Sequence, residues 1–383
     1  MKTIITGVIK IAIAIGLVWF VVNQIETADR LEVPGASEDS PATYILGSFD
    51  GDWRSQDWRF TAELDGKEFQ PPLAEGWVVH PGFFTAVRSL TFGWYLIGVL
   101  LWAALLFMAA FRWQLLLRAA SVPVGYKDAL KLSFIGYFFN NVMLGSTGGD
   151  LIRAVMVTRG LERNRWRAAL SVIVDRLIGL FALITIASIV LGVFWYMERI
   201  SSVRGLRQLT QIVFALLLMA TIGASIYLSR RARAALGLNW LLDRLPAQKI
   251  IRKLDDAITV YRDHKRTVLA AVFMSLPLQV CGILSFWAIG EALGAGLTPG
   301  ENFVIFPIVQ TVSALPLAPA GWGVGESLFG WFFESFGSSF TLGVAVSVIF
   351  RLTTQVGFGL IGGLTWVTSK ERRQGIPLTG EEE

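Results

Sequence analysis

One cysteine and two histidines are all that this chain of 383 residues offers to redox or imidazole chemistry. Cys281 has no second cysteine with which to close an intrachain disulfide, and alone it cannot build a cysteine metal cluster. His80 and His264 fall in separate polar segments, which argues against any mechanism that needs paired imidazoles. The sequence also holds no Walker A loop, no H-E-x-x-H pair and no serine–histidine nucleophile set. Charge is scarce as well. Asp, Glu, Lys and Arg make up 16% of the residues, against roughly 25% in soluble domains. Whatever chemistry the chain performs must rest on a few carboxylates and arginines, with no metal, no cofactor and no catalytic residue expected.

What replaces the missing charge is apolar surface, 54% of the residues. It is concentrated in runs that are nearly charge-free: 94–111, 168–195, 212–228, 268–289 and 342–367. Each approaches or exceeds the ~20 residues that cross a ~30 Å hydrocarbon layer. A further run, 4–22, follows Lys2 and contains Lys10, so it reads either as a signal peptide or as an uncleaved first span. The sequence after it lacks a small-x-small cleavage site, which favours the span.

The net charge of +5 is unevenly placed. Residues 23–92 hold twelve acidic and five basic side chains, so the excess of positive charge lies elsewhere, at the ends of the apolar runs. Segment 153–167 has Arg153, Arg159, Arg163, Arg165 and Arg167; segment 230–266 has ten Lys or Arg; the tail has Lys370, Arg372 and Arg373. Basic loops of this kind stay on the cytoplasmic side, which explains the charge without nucleic acid. Ile250, Ile251, Leu254, Ile258 and Tyr261 recur at helical spacing within the second of these, an amphipathic stripe suited to a membrane surface or to docking on the bundle. The acidic segment reads differently. Pro34-Gly35, Asp50-Gly51 and Asp65-Gly66 signal turns, with strands expected over 43–49 and 58–64, either as a plain β-rich loop or as a ligand sensor.

Two segments are apolar yet broken. Residues 129–158 are interrupted at 145–149 (Gly-Ser-Thr-Gly-Gly), and residues 302–337 at 316–323 (Pro-Leu-Ala-Pro-Ala-Gly-Trp-Gly). Neither arm of either segment is long enough to cross alone, so both are expected to be re-entrant hairpins, the first from the cytoplasmic side and the second from the opposite side. The helix after the first hairpin contains Ser-Val-Ile-Val-Asp-Arg-Leu at 171–177, and the helix after the second Ser-Val-Ile-Phe-Arg-Leu at 347–352. Asp150 precedes Arg176 by 26 positions and Glu326 precedes Arg351 by 25. Composition alone produces short likenesses between apolar helices, but four features recur here in one order. The halves therefore read as inverted repeats, the plan of many secondary transporters, with the two breaks at the substrate site.

Asp150, Asp175, Arg176, Glu326 and Arg351 lie in or beside these segments, where each charge costs roughly 2.5–3.5 kcal/mol on insertion scales. Asp175 and Arg176 are neighbours on different helix faces and cannot pair well with each other. Pairing across the repeats is the expectation. Helix starts at Gly149 and Gly325 offer unsatisfied N–H groups and a partial positive charge suited to phosphate. The acids beside them are either caps or functional groups. The arginines are the expected phosphate ligands, with Asn140 and Asn141 as neutral donors.

Phe139-Asn140-Asn141, Gly148-Gly149-Asp150 with Arg153, Asp175-Arg176, and the run from Pro319 through Ala320, Gly321, Trp322, Gly323, Val324 and Gly325 to Glu326 together resemble the membrane domain of lysylphosphatidylglycerol synthases and the stand-alone flippase-like proteins that share it. The resemblance covers roughly residues 90–368. Leu144-Gly145 and Pro319-Ala320-Gly321 depart from the family's more usual proline–glycine pairs, and the acidic insertion is unusually long. The resemblance implies a substrate site containing Asn140, Asn141, Gly148, Gly149, Asp150, Arg153, Asp175, Arg176, Pro319, Gly321, Gly323, Glu326 and Arg351. The lipid it implies bears a phosphate head group, either an aminoacyl-phospholipid or a polyprenyl-phosphate sugar. The last apolar run ends close to Glu383, so the synthases' cytosolic transferase domain is not expected.

The expectation is thus an all-α polytopic membrane protein of the cell (inner) membrane, with about six spans, two re-entrant hairpins in inverted repeats and a small β-rich extracytoplasmic insertion. A first span occupies 1–23, the insertion 24–92, the flippase-like membrane domain 93–368 and a cytoplasmic tail 369–383, with the N-terminus cytoplasmic too. The expected activity is lipid transport rather than catalysis. The alternative is a lipid-binding accessory subunit of a separately encoded synthase or glycosyltransferase.

Overall fold

The computed structural model describes residues 19, 22–34, 43–74, 76–142, 148–159, 161, 164–197, 206–235, 255, 259–313 and 323–368. The acidic insertion is an antiparallel sheet of five strands: β1 (Asp29–Val33), β2 (Thr43–Asp50), β3 (Arg59–Ala62), β4 (Glu68–Phe69) and β5 (Val78–His80), in the order β4-β3-β2-β1-β5. β2 alternates exposed and partly covered residues, as a strand with one wet face must. The covered face packs Leu31, Trp58, Phe60 and Ala62 against Phe49, Phe69 and Trp77. Gly51 and Gly66 adopt φ of +94° and +66° in the two Asp-Gly turns, which glycine allows without strain. Asp29 is buried and ties the sheet to the first helical turn after it: Oδ1 accepts from the Gly82 N–H at 2.7 Å, and Oδ2 from the Phe49 N–H and the Thr85 hydroxyl, both at 2.9 Å. Gly35 of the Pro34-Gly35 turn and four of the five stripe residues, Ile250, Ile251, Leu254 and Ile258, lie outside the described residues.

The other described elements are helices. Helix α1 (Phe83–Arg88) leads into α2 (Phe92–Ala119), followed by α3 (Tyr126–Val142), α4 (Gly148–Thr158), α5 (Arg165–Tyr196), α6 (Leu206–Leu228) and α7 (Arg230–Ala235). After the next basic segment come α8 (Lys265–Ala292), α9 (Pro299–Ser313), α10 (Val324–Ser335), α11 (Phe340–Arg351) and α12 (Phe358–Thr368), the last two joined by a wide turn, Leu352–Gly357. Five stretches are long and apolar enough to cross a membrane: Phe92–Ala119, Arg165–Tyr196, Arg207–Ile226, Lys265–Ala292 and Phe340–Thr368. They coincide with the five charge-free runs in the sequence. The sixth expected run, 4–22, falls outside the described residues except for Trp19 and Val22.

Close packing sets the order of the bundle. α8 lies along α2, where Gly98 leaves room for Ile289 and its carbonyl accepts from the Ser285 hydroxyl at 2.7 Å. Behind them Phe286, Phe306, Phe329 and Phe350 form the main core, Phe286 and Phe329 stacking with centroids 4.4 Å apart. The sheet sits on one end of this bundle. Arg54 donates to the Ala292 carbonyl at the end of α8 at 3.0 Å and to the Ser89 carbonyl, Trp53 Nε1 donates to Ser89 Oγ at 3.0 Å, and the Glu26 N–H donates to Thr341 at 3.1 Å.

The same end holds both limits of the α9–α10 hairpin, since Ser338 donates to the Ala295 carbonyl at 2.8 Å. The α3–α4 hairpin has its limits at the opposite end, where Asn164, just before α5, donates to the Ser121 carbonyl just after α2 at 3.2 Å. Each hairpin also packs reciprocally: α3 against α12, and α9 against α5. Gly362 and Gly363 make the first contact possible, because a side chain there would meet Phe134 and Phe138.

Candidate functional site

The first hairpin closes through two glycines. A Cβ on Gly149 would run into the Gly136 carbonyl oxygen, so the start of α4 approaches α3 closely only because both positions are bare. Asn140 holds the approach: its side-chain oxygen accepts from the Gly149 N–H at 2.8 Å. The Asn140 carbonyl thus helps satisfy the N-terminus of α4; the donors expected to face phosphate are the N–H groups at the other side of the same amide. Asn141 lies in α3 by its backbone, and Gly148 opens α4.

In the first turn of α4 begins a network of five charged side chains. Arg176 Nε is 2.6 Å from Asp150 Oδ2, and Arg153 reaches both Asp150, at 4.0 Å, and Asp175, at 3.7 Å. Asp175 is held from its other side by Arg112, whose Nε donates to Oδ1 at 2.9 Å and whose Nη1 donates to Ser275 at 2.6 Å. The Arg153 guanidinium lies 3.8 Å over the Trp113 ring, a cation–π contact, and Trp113 Nε1 donates to Ser171 at 3.0 Å. Asp175 and Arg176, adjacent in sequence, do point to different partners. Arg112 and Asp175 are each only 7% exposed, whereas the Arg176 side chain is 52% exposed.

In the second half Gly323, at φ +83°, precedes α10, and its N–H donates to Glu326 Oε2 at 2.7 Å, so this acid caps its own helix. Arg351 Nε faces the other oxygen, Oε1, at 3.0 Å, at an angle too bent for a hydrogen bond. Gly325 gives Arg351 its room, since a side chain there would collide with the guanidinium. The side chains of Arg351 and Glu326 are 5% and 4% exposed. Pro319 and Gly321 lie outside the described residues.

The expected pairing across the repeats is not what forms. Asp150 pairs with Arg176 and Glu326 with Arg351, each within its own half, because the short helix and the long helix that come after each break pack together locally. The two pairs also differ. The first is half open and belongs to a larger network, while the second is sealed. Among the described residues no group of three or more His, Cys, Asp or Glu could hold a metal ion.

Arg112, Trp113 and Ser275 complete the site without having been expected. Arg112 directly follows the run 94–111 and looks like a flanking charge, but α2 continues for seven residues beyond it. A signal did exist, because helical spacing extended past Phe111 would have carried Arg112 onto the face of Trp113 and Leu116 that is buried.

A family model described as the lysylphosphatidylglycerol synthase TM region matches residues 81–362, from just after the sheet to the middle of α12. A UPF0104 membrane protein of Pyrococcus horikoshii is 23% identical over 294 residues, spanning 70% of this chain and 83% of that protein. Another, from Methanothermobacter thermautotrophicus, is 22% identical over 303 residues, 75% of this chain and 88% of that one.

Proposed function

The chain belongs to the family of the lysylphosphatidylglycerol synthase transmembrane region, and from that premise we propose that it moves a phosphate-bearing lipid between leaflets without changing it chemically. The cargo is an aminoacyl-phospholipid or a polyprenyl-phosphate sugar. The protein is a multi-pass protein of the cell (inner) membrane with both termini cytoplasmic. Its two hairpins are re-entrant and its halves form inverted repeats that rock against each other around the charged pairs.

The observation that carries this reading is the half-open Asp150–Arg176 pair beside the start of α4. A charge at hydrocarbon depth is expensive. A sealed pair has its structural justification in its partner, but an arginine left half exposed there keeps donors available for an incoming anion. Asp150 shields Arg176 when the site is empty and can yield it to a head group. The reciprocal packing of each hairpin on the other half's long helix supports the two-fold plan on which alternating access depends.

Reconstitution of the purified chain into liposomes tests the proposal. Transfer of a phosphate-bearing lipid between leaflets, with recovery of unchanged lipid by mass spectrometry, is the expected result. A covalently modified lipid made without partners would replace transport by catalysis. Binding with neither transfer nor modification would make the chain an accessory subunit of a separate synthase or glycosyltransferase.

A further inference from the structure

The outward side of α2 carries a feature that the charge network does not use. Where α2 and the start of α3 diverge, Phe107, Met108, Phe111, Arg118 and Tyr126 surround an open groove of about 600 Å³, within the ~300–1,000 Å³ of ligand sites generally. Its wall is fixed. The Tyr126 hydroxyl donates to the Phe107 carbonyl at 3.2 Å, and its ring meets Phe111 edge-on at 6.1 Å. Phe107 and Phe111 are 47% and 42% exposed, so the apolar part is open to the surroundings. Arg112, next in sequence, turns inward to Asp175, which places groove and network on different faces of one helix.

The polar end lies two helical turns further on, about 10 Å along the axis, at Arg118 in the last turn of α2. With α2 as a span, Arg118 falls at head-group level and the aromatic part at acyl level. Among the described residues Arg118 is exposed and has no acidic partner, and Lys127, next to Tyr126, is exposed too. The acid nearest the groove in the chain, Asp128, has a partner of its own. An apolar channel that ends in unpaired positive charge at the membrane interface complements an anionic lipid.

We infer that this groove binds one anionic glycerophospholipid, with its phosphate on Arg118 and one acyl chain laid along Phe107, Met108 and Phe111. The site is separate from the hairpin pair and does not depend on transport.

Photocrosslinking of the full chain in nanodiscs with a phosphatidylglycerol that carries a diazirine on one acyl chain tests it, with adducts mapped by peptide mass spectrometry. Adducts should concentrate on 107–111 relative to Leu360–Leu364, an exposed apolar stretch of α12. They should fall roughly five-fold in Arg118→Gln, the loss of one basic contact to an anionic lipid, and persist in Arg118→Lys. The adduct yield at Leu360–Leu364 reports whether each variant is folded and embedded. Equal labelling of the two stretches, or unchanged labelling of 107–111 in Arg118→Gln with the control stretch intact, would overturn the inference by making this ordinary annular lipid.

Discussion

Arg112 and Asp175 illustrate how a single buried charge commits its neighbours. Removing one member of a buried pair leaves the other uncompensated, typically at about 3–5 kcal/mol. Arg153 lies 3.7 Å from Asp175 and would remain as a partner, so Arg112→Leu should fall near the lower end of that range. Thermal unfolding in detergent should show a clearly lowered transition, and an unchanged one would mean that Arg112 is dispensable. The pairing within each half leads to a second expectation. Exchanging charges in Asp150→Arg with Arg176→Asp should recover much of the stability lost in either single variant, whereas Glu326→Arg with Arg176→Glu should recover none. Three of the five network members, Asp150, Asp175 and Arg176, were legible as charges at membrane depth, and Arg153 only through the family resemblance. Their partners were not, because which charges meet depends on how tightly α4 lies against α3 and α5, and that is set by Gly136 and Gly149 rather than by any charge.

At the scale of elements, a short loop around Arg54 helps hold the sheet to the bundle, beside the Glu26–Thr341 hydrogen bond. Asp52 accepts from Arg54 Nε at 3.0 Å and Nη2 at 3.2 Å, aligning the guanidinium on the carbonyls of Ala292 and Ser89. These carbonyls include the end of α8, where a positive charge also meets the helix dipole favourably. Arg54→Ala should speed hydrogen exchange in 83–91 while the strands stay protected. The hydrogen bond from Arg54 holds the Asp52 carboxyl below its ordinary value of 3.8. A carboxyl depressed by folding stabilises above its unfolded pKa and loses that contribution as pH falls through the folded one. The loop should therefore loosen only below about pH 4, and Asp52→Asn should show the loosened exchange already at neutral pH. Helices were far more legible than strands. Five apolar runs marked the five stretches long enough to cross a membrane, but only the strands over 43–49 and 58–64 stood out; β4 and β5, with two and three residues, are too short for alternation to register, and β1 is mostly charged, with Asp29, Arg30 and Glu32.

For the whole molecule, hydrogen bonds place the sheet and both limits of α9–α10 at one end and both limits of α3–α4 at the other. In a Cys281→Ser background, cysteines at Asp57 and Gly337 should label from outside intact cells, and one at Arg165 only after permeabilisation. Outside labelling at Arg165 would require α3 and α4 to cross in a way that the proposed re-entrant plan forbids.

The two arginine–acid pairs need not do the same work, and their exposure separates them. The Arg176 side chain is 52% exposed and that of Arg351 is 5% exposed, although each pairs with the acid at the start of its own hairpin helix. An arginine that contributes only to packing should reveal itself in stability, and one that serves an incoming head group in transport. Arg351→Gln leaves the buried Glu326 carboxylate with the Gly323 N–H but no cation, so expression and thermal stability should fall, by about 3 kcal/mol or more on the scale of broken buried pairs. Arg176→Gln leaves Asp150 with Arg153, 4.0 Å away, as a remaining partner, so the protein should lose less stability than Arg351→Gln but move lipid at least ten-fold more slowly in liposomes. Arg176→Lys should restore part of the rate, since a point charge keeps the attraction but loses the two-pronged hydrogen bonding. If Arg176→Gln transports normally while folding normally, the open pair is not the head-group site. If both variants lose stability equally, the difference in exposure carries no functional meaning and the two pairs are equivalent struts of the fold.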